Sequence, residues 1–150
     1  MVVVMFMRVK SEAAGHIKQF FNEIKSRFNE IESRFNRKPK YTRFDNGKEL
    51  VNAEVKKWVA EKGIVIETTA PYSPSQHGMA EQMNRTLIEG THAMLFGRSL
   101  PPSLWAEAVT HCVYIRNHSP TQALGNWTPF EVWHSLKPDV SHFQEFGQDI

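Results

Sequence analysis

Apolar and polar residues follow two different periods along this chain, and the change of period marks its elements. Val2 to Met7 is an unbroken run of β-branched and large apolar side chains, the pattern of a buried strand. From Ser11, placed to cap a helix, the period lengthens. Ile17, Phe20, Phe21, Ile24, Phe28, Ile31 and Phe35 make a one-sided helical stripe. Lys18, Glu23, Lys25, Arg27, Glu30, Glu32 and Arg34 fall mostly off it and read as a solvated face. Asn36 to Pro39 ends the helix. Lys40 to Phe44 is a short strand, and Asp45-Asn46-Gly47 its turn. Asn52 is placed as the N-cap of a helix through Val55, Trp58 and Val59, with Gly63 as its stop. Ile64 to Thr68 is another β-branched strand.

Thr69 to Gly78 is rich in Pro, Ser and Gly and reads as a flexible loop. A helix from about Met79 to Phe96 follows. Ala80, Met83, Leu87 and Met94 form its core-facing stripe, with Glu81, Asn84, Arg85 and Ile88 on the adjacent one. Gly90 falls on the core stripe, where it should cost about 1 kcal/mol relative to Ala and leave a gap in packing. Leu100-Pro101-Pro102 opens a helix whose apolar residues are Leu104, Trp105, Ala108, Val109, Cys112 and Ile115. Cys112 reads as a small core residue, and His111 and His118 as structural. Thr128 caps the last helix, Pro129 takes its first position and Glu131 completes a capping box. That helix runs through Trp133 and Leu136 to Pro138, and the tail to Ile150 is a loop.

Composition narrows the class without choosing a function. The 150 residues suit one domain, and 41% apolar with 23% charged is ordinary for a globular protein. A net charge of +2 permits nucleic-acid binding without arguing for it. One cysteine rules out an internal disulfide and a cysteine-rich zinc site, and fits a reducing, intracellular compartment. The apolar start is too short for a signal peptide, and no run approaches the roughly 20 residues that span a bilayer.

The candidate chemistry lies between Tyr41 and Thr86. Taken singly its residues are bland. Asp45-Asn46-Gly47 is a turn, Glu81 and Arg85 are an i,i+4 ion pair, and His77 is a surface histidine. Taken together, Asp45 at a strand end and Glu81 near a helix start are two carboxylates from different elements. Such a pair can hold a divalent metal against phosphate oxygens. Arg85 can reach a phosphate from the same helix face, and Asn84 a base or sugar.

Three segments make the pattern specific: Tyr41-Thr42-Arg43-Phe44-Asp45-Asn46-Gly47, Thr69-Ala70-Pro71-Tyr72-Ser73-Pro74-Ser75-Gln76-His77-Gly78 and Ala80-Glu81-Gln82-Met83-Asn84-Arg85-Thr86. With them the chain resembles the integrase catalytic domain of copia-type LTR retrotransposon polyproteins, over almost its whole length. The family's triad is Asp, Asp and Glu, with thirty-five residues between the last two. Asp45 and Glu81 match that spacing. The resemblance implies that Asp45 and Glu81 are catalytic and metal-binding, with Mg2+ or Mn2+ held weakly by two acids alone. It places Asn46, Lys48, Tyr72, Ser73, Gln76, His77, Gly78, Asn84 and Arg85 against DNA. Gln82 stands where the family usually has a basic residue.

The implied fold is α/β, a ribonuclease H-like integrase core lacking its first two strands: three short strands flanked by about five helices. Residues 1–140 would be the partial catalytic domain and 141–150 a tail. With the first acid and two central strands absent, either a re-paired three-stranded sheet or a partly ordered chain is expected, with strand transfer absent or very weak. The implied partners are DNA and either further copies or an upstream polyprotein segment, with no membrane and a nuclear location. A non-catalytic DNA-binding relic and a decayed interaction fragment remain as alternatives.

Overall fold

Tyr41–Phe44 (β1) and Val65–Thr68 (β2) pair in parallel, and a parallel pair needs a crossover between its strands. Ala53–Glu61 (α2) lies in that crossover. The register sets Tyr41 against Val65, Thr42 against Ile66, Arg43 against Glu67 and Phe44 against Thr68. Period-2 alternation is visible in it. Tyr41 and Val65 are exposed, whereas Thr42 and Ile66 are half-buried. Val55 and Val59, one turn apart on α2, are fully buried. Gly63 ends the turn after α2 as expected. Its φ is 68°, its N–H donates to the Ala60 carbonyl at 2.9 Å, and the Ile64 N–H donates to that of Val59 at 3.2 Å. These are the two bonds of a Schellman motif.

The computed structural model describes residues 1–20, 22–23, 40–44, 53–61, 63–68 and 74–148. They fall into two compact units, one of Met7–Gly78 and one of Met1–Phe6 with Met79–Ile150. In the first, a 3-10 turn at Lys10–Glu12 leads into helical residues 13–20 (α1). Ser11 does not cap this start. The N-cap position is Val9, with no side-chain cap, and the Glu12 carboxylate accepts from the Arg8 N–H at 3.0 Å. Of the predicted Phe/Ile stripe, Phe21, Ile24, Phe28, Ile31 and Phe35 lie outside the described residues, as does Asn52.

The second unit is built on a helix pair: Pro74–Gly97 (α3), which belongs to it from Met79 onward, and Trp105–His118 (α4). Its core is Leu87, Cys112 and Val113, with Met83 and Met94 packed against it. Thr91 and Leu95 extend the buried stripe of α3, whereas Ala80, expected inside, is exposed. Gly90 corrects a second expectation. A Cβ there would stand 2.6 Å from the Cys112 Sγ, so glycine lets the two helices approach closely and leaves no void. Burial raises the Cys112 thiol pKa, as suits a core position.

The expected strand at Val2–Met7 does not form among the described residues; the sheet has two strands. Val2 spends both of its main-chain groups on the Asn117 side chain, and Val2 and Val4 pack on the Leu87 cluster. Pro129–His134 (α5) carries the complete capping box: the Glu131 N–H donates to Thr128 Oγ1 at 3.0 Å, and the Thr128 N–H to Glu131 Oε2 at 2.8 Å. It stops at Ser135, whose φ of 56° lets its N–H reach the Glu131 carbonyl. Pro138 is therefore not the stop, and Leu136 is exposed. The tail is irregular yet fastened. Arg98 holds Glu145 through two hydrogen bonds, Tyr114 Oη meets His142 Nε2 at 2.8 Å, and His111 faces Phe146 at 5.3 Å.

Candidate functional site

Helix α3 delivers the described part of the site. Its backbone is already helical at Pro74, where Met79 was expected, so the loop ends earlier than its composition suggests. Proline suits a first helical position, because its missing N–H would have no partner there. Gln76, His77 and Gly78 thus belong to the opening turns of the helix and not to a loop. Gly78 is half-buried, while the Gln76 and His77 side chains lie outside the described residues. Asp45, Asn46, Lys48, Tyr72 and Ser73 also lie outside them.

Glu81, Asn84 and Arg85 are all exposed, on successive turns of one helix face. Met83 and Leu87 face the other way, into the core. That amphipathic split fixes which way Glu81 and Arg85 point. Among the described residues neither makes an ion pair or a hydrogen bond, so the i,i+4 pairing that their spacing allows is not formed. A carboxylate and a guanidinium stand free, one turn apart. The exposed Gln82 contributes its carbonyl to the Thr86 hydroxyl at 2.9 Å. Ile88, 55% exposed, follows one turn after Arg85.

The chemical capacity of this face follows from its donors. Glu81 offers hard oxygen ligands of the kind Mg2+ takes, and Arg85 offers a planar fork suited to phosphate. Among the described residues no three His, Cys, Asp or Glu side chains come together as a metal cage. Glu81 can therefore supply one corner of a metal site, and a second acid has to come from elsewhere. His118 is held by local contacts. His118 Nδ1 lies 2.7 Å from the Tyr114 carbonyl, and its ring stacks on Phe130 at 4.7 Å. No helix among the described residues is long and apolar enough to cross a membrane.

One polar residue escaped the sequence reading. Asn117 is 8% exposed near the end of α4, where nothing in the apolar period marks it. Its partner Val2 lies 115 positions away, so no local pattern could have found it.

Comparison with known proteins adds what geometry cannot. No family model matches the chain. Over 111 residues, 74% of its length, it is 40% identical to the retrovirus-related Pol polyprotein from transposon TNT 1-94 of Nicotiana tabacum. It is 29% identical over 103 residues to the Pol polyprotein from transposon RE2 of Arabidopsis thaliana. The chain spans only 8% and 7% of these two proteins. Its fold is similar to that of a chain in the cryoEM structure of the simian T-cell lymphotropic virus intasome in complex with PP2A regulatory subunit B56 gamma. There the TM-score is 0.52 at 21% identity, covering 82% of this chain and 44% of that one.

Proposed function

We propose that this chain, whose homologues are copia-type retrovirus-related Pol polyproteins of plant transposons, is a segment of an integrase catalytic domain that acts on DNA. One observation carries the reading. Among the described residues Glu81 and Arg85 have no partner on the exposed face of α3, in a chain 40% identical to one such polyprotein. A structural ion pair would have consumed both groups. Left free, they suit a metal and a phosphate.

In this reading the fold is ribonuclease H-like, and Asp45 is the residue that follows β1 in the sequence. Asp45 and Glu81 would hold Mg2+ or Mn2+. Such an ion, when bound, neutralises charge on the reacting phosphate and activates the attacking oxygen. The protein's own part is positioning. Arg85 holds a neighbouring phosphate and Asn84 a sugar or base edge, and the Tyr72–Gly78 segment with Asn46 and Lys48 lies along the DNA end. Phosphoryl transfer depends on such placement and on charge stabilisation. These 150 residues supply two of the three acids, so their strand transfer unaided is absent or very weak. The segment works within a polyprotein-derived assembly, in the nucleus.

A strand-transfer assay with a recessed DNA end and Mg2+ or Mn2+ tests the chemistry. Joining is expected only when the upstream polyprotein segment is supplied, and Asp45→Asn or Glu81→Gln should abolish it. Efficient joining by the 150-residue chain alone would refute the two-acid account. DNA binding that survives Asp45→Asn, with no joining under any supplement, would favour a non-catalytic binding relic instead.

A further inference from the structure

Asn117 does for Val2 what a neighbouring strand would do. Its Oδ1 accepts from the Val2 N–H at 2.8 Å, and its Nδ2 donates to the Val2 carbonyl at 2.7 Å. Val2 and Val4 rest on the Leu87, Cys112 and Val113 cluster, and Phe6 stands edge-on to Trp105 at 5.3 Å and 87°. Val2 and Val4 are half-buried between exposed Met1 and Val3, the alternation of an extended chain, and the pattern breaks at half-buried Met5. The outer side of this segment is thinly covered. Met1 and Val3 are 49% and 44% exposed, and Phe6 keeps 40% exposure beside Trp105. Among the described residues, the main-chain hydrogen bonds of residues 1–6 are those two to Asn117.

We propose that Met1–Phe6 is a detachable strap over the seam between α3 and α4, with the Asn117 carboxamide as its clasp. Opening breaks two hydrogen bonds and lifts two valines, a far smaller change than unfolding the helix pair. It removes part of the cover of the Leu87, Cys112 and Val113 cluster, whose thiol lies against Gly90, and so eases access to Cys112. The closed strap satisfies a buried amide that would otherwise lack partners, so closing is favoured but local. This proposal does not rest on the integrase reading.

The chain has a single cysteine, which makes the test direct. The rate at which 5,5′-dithiobis(2-nitrobenzoate) labels Cys112 in the intact 150-residue chain reports opening. In the wild type, labelling under native conditions should depend on urea far less steeply than global unfolding does. Asn117→Ala should speed labelling about tenfold or more, and Asn117→Asp, which keeps the acceptor alone, by less. Val2→Pro removes the donor from the strap without touching α4, and should act in the same direction. It decides the matter if the Asn117 variants fail to fold. Wild-type labelling with the full urea dependence of global unfolding would overturn the proposal, as would an unchanged rate in a folded Asn117 variant or in Val2→Pro.

Discussion

At the scale of single residues, α3 divides its side chains between core and solvent. Glu81 and Arg85 could be assigned to an exposed face from spacing alone, because Met83 and Leu87 claim the opposite one. Whether the two pair with each other is not legible from spacing, which allows it; among the described residues the pair is not formed. If the proposed function holds, Arg85→Ala should weaken binding to duplex DNA at every sequence alike and lower the log–log salt slope by about one, measured by fluorescence anisotropy. Gly90 shows the converse. Its helix propensity argues for replacement by alanine, worth about 1 kcal/mol. The Cys112 Sγ, 2.6 Å from where the methyl would go, argues against it. Overpacking a core costs about 1–3 kcal/mol, so Gly90→Ala should be neutral to destabilising by up to about 2 kcal/mol in urea melts. Adding Cys112→Ala should recover most of that loss, a coupling a double-mutant cycle would read directly.

At the scale of elements, the boundaries fixed by neighbouring residues were the readable ones. The Thr128–Glu131 box was legible because both its residues and its spacing are local. Thr128→Ala should cost about 1 kcal/mol. The Glu131 carboxyl is held below the ordinary glutamate range, first by the Thr128 backbone N–H. A depressed folded pKa means that the stabilisation is complete above the unfolded carboxylate pKa. It is lost as pH falls through the folded value. The melting temperature should thus decline on the acid side, and Glu131→Gln should flatten that limb. The stop of α3 was not legible. Ser99 takes φ of 52° while the Leu100 N–H donates to the Leu95 carbonyl at 2.8 Å, so a serine occupies a left-handed position that usually takes glycine. Ser99→Gly should raise stability by about 1 kcal/mol in the same melts.

At the scale of the whole molecule, the β1–α2–β2 unit could be read almost to the residue. Two β-branched or aromatic runs around a capped amphipathic stretch leave little choice of architecture. The sheet beyond it could not. An apolar run such as Val2–Met7 specifies burial, and only a partner decides whether burial occurs in a ladder or against helices. Here the partner is an asparagine side chain and a helix seam. The start of α3 was missed for a related reason: Pro, Ser and Gly describe a breaker-rich stretch, yet proline is welcome in the first turn of a helix. Circular dichroism of the isolated chain should accordingly show a helix-dominated spectrum with a minor strand component.

The bond between Val2 and Asn117 also sets a schedule for biosynthesis. The two are 115 positions apart, and a ribosome adding about 5–20 residues per second needs roughly 6–23 s to make the second after the first. For that interval the apolar run at Val2–Met7 has been translated while its eventual resting place has not. A nascent chain then offers a sticky β-prone segment to whatever is nearby, which makes it a natural early client for a chaperone.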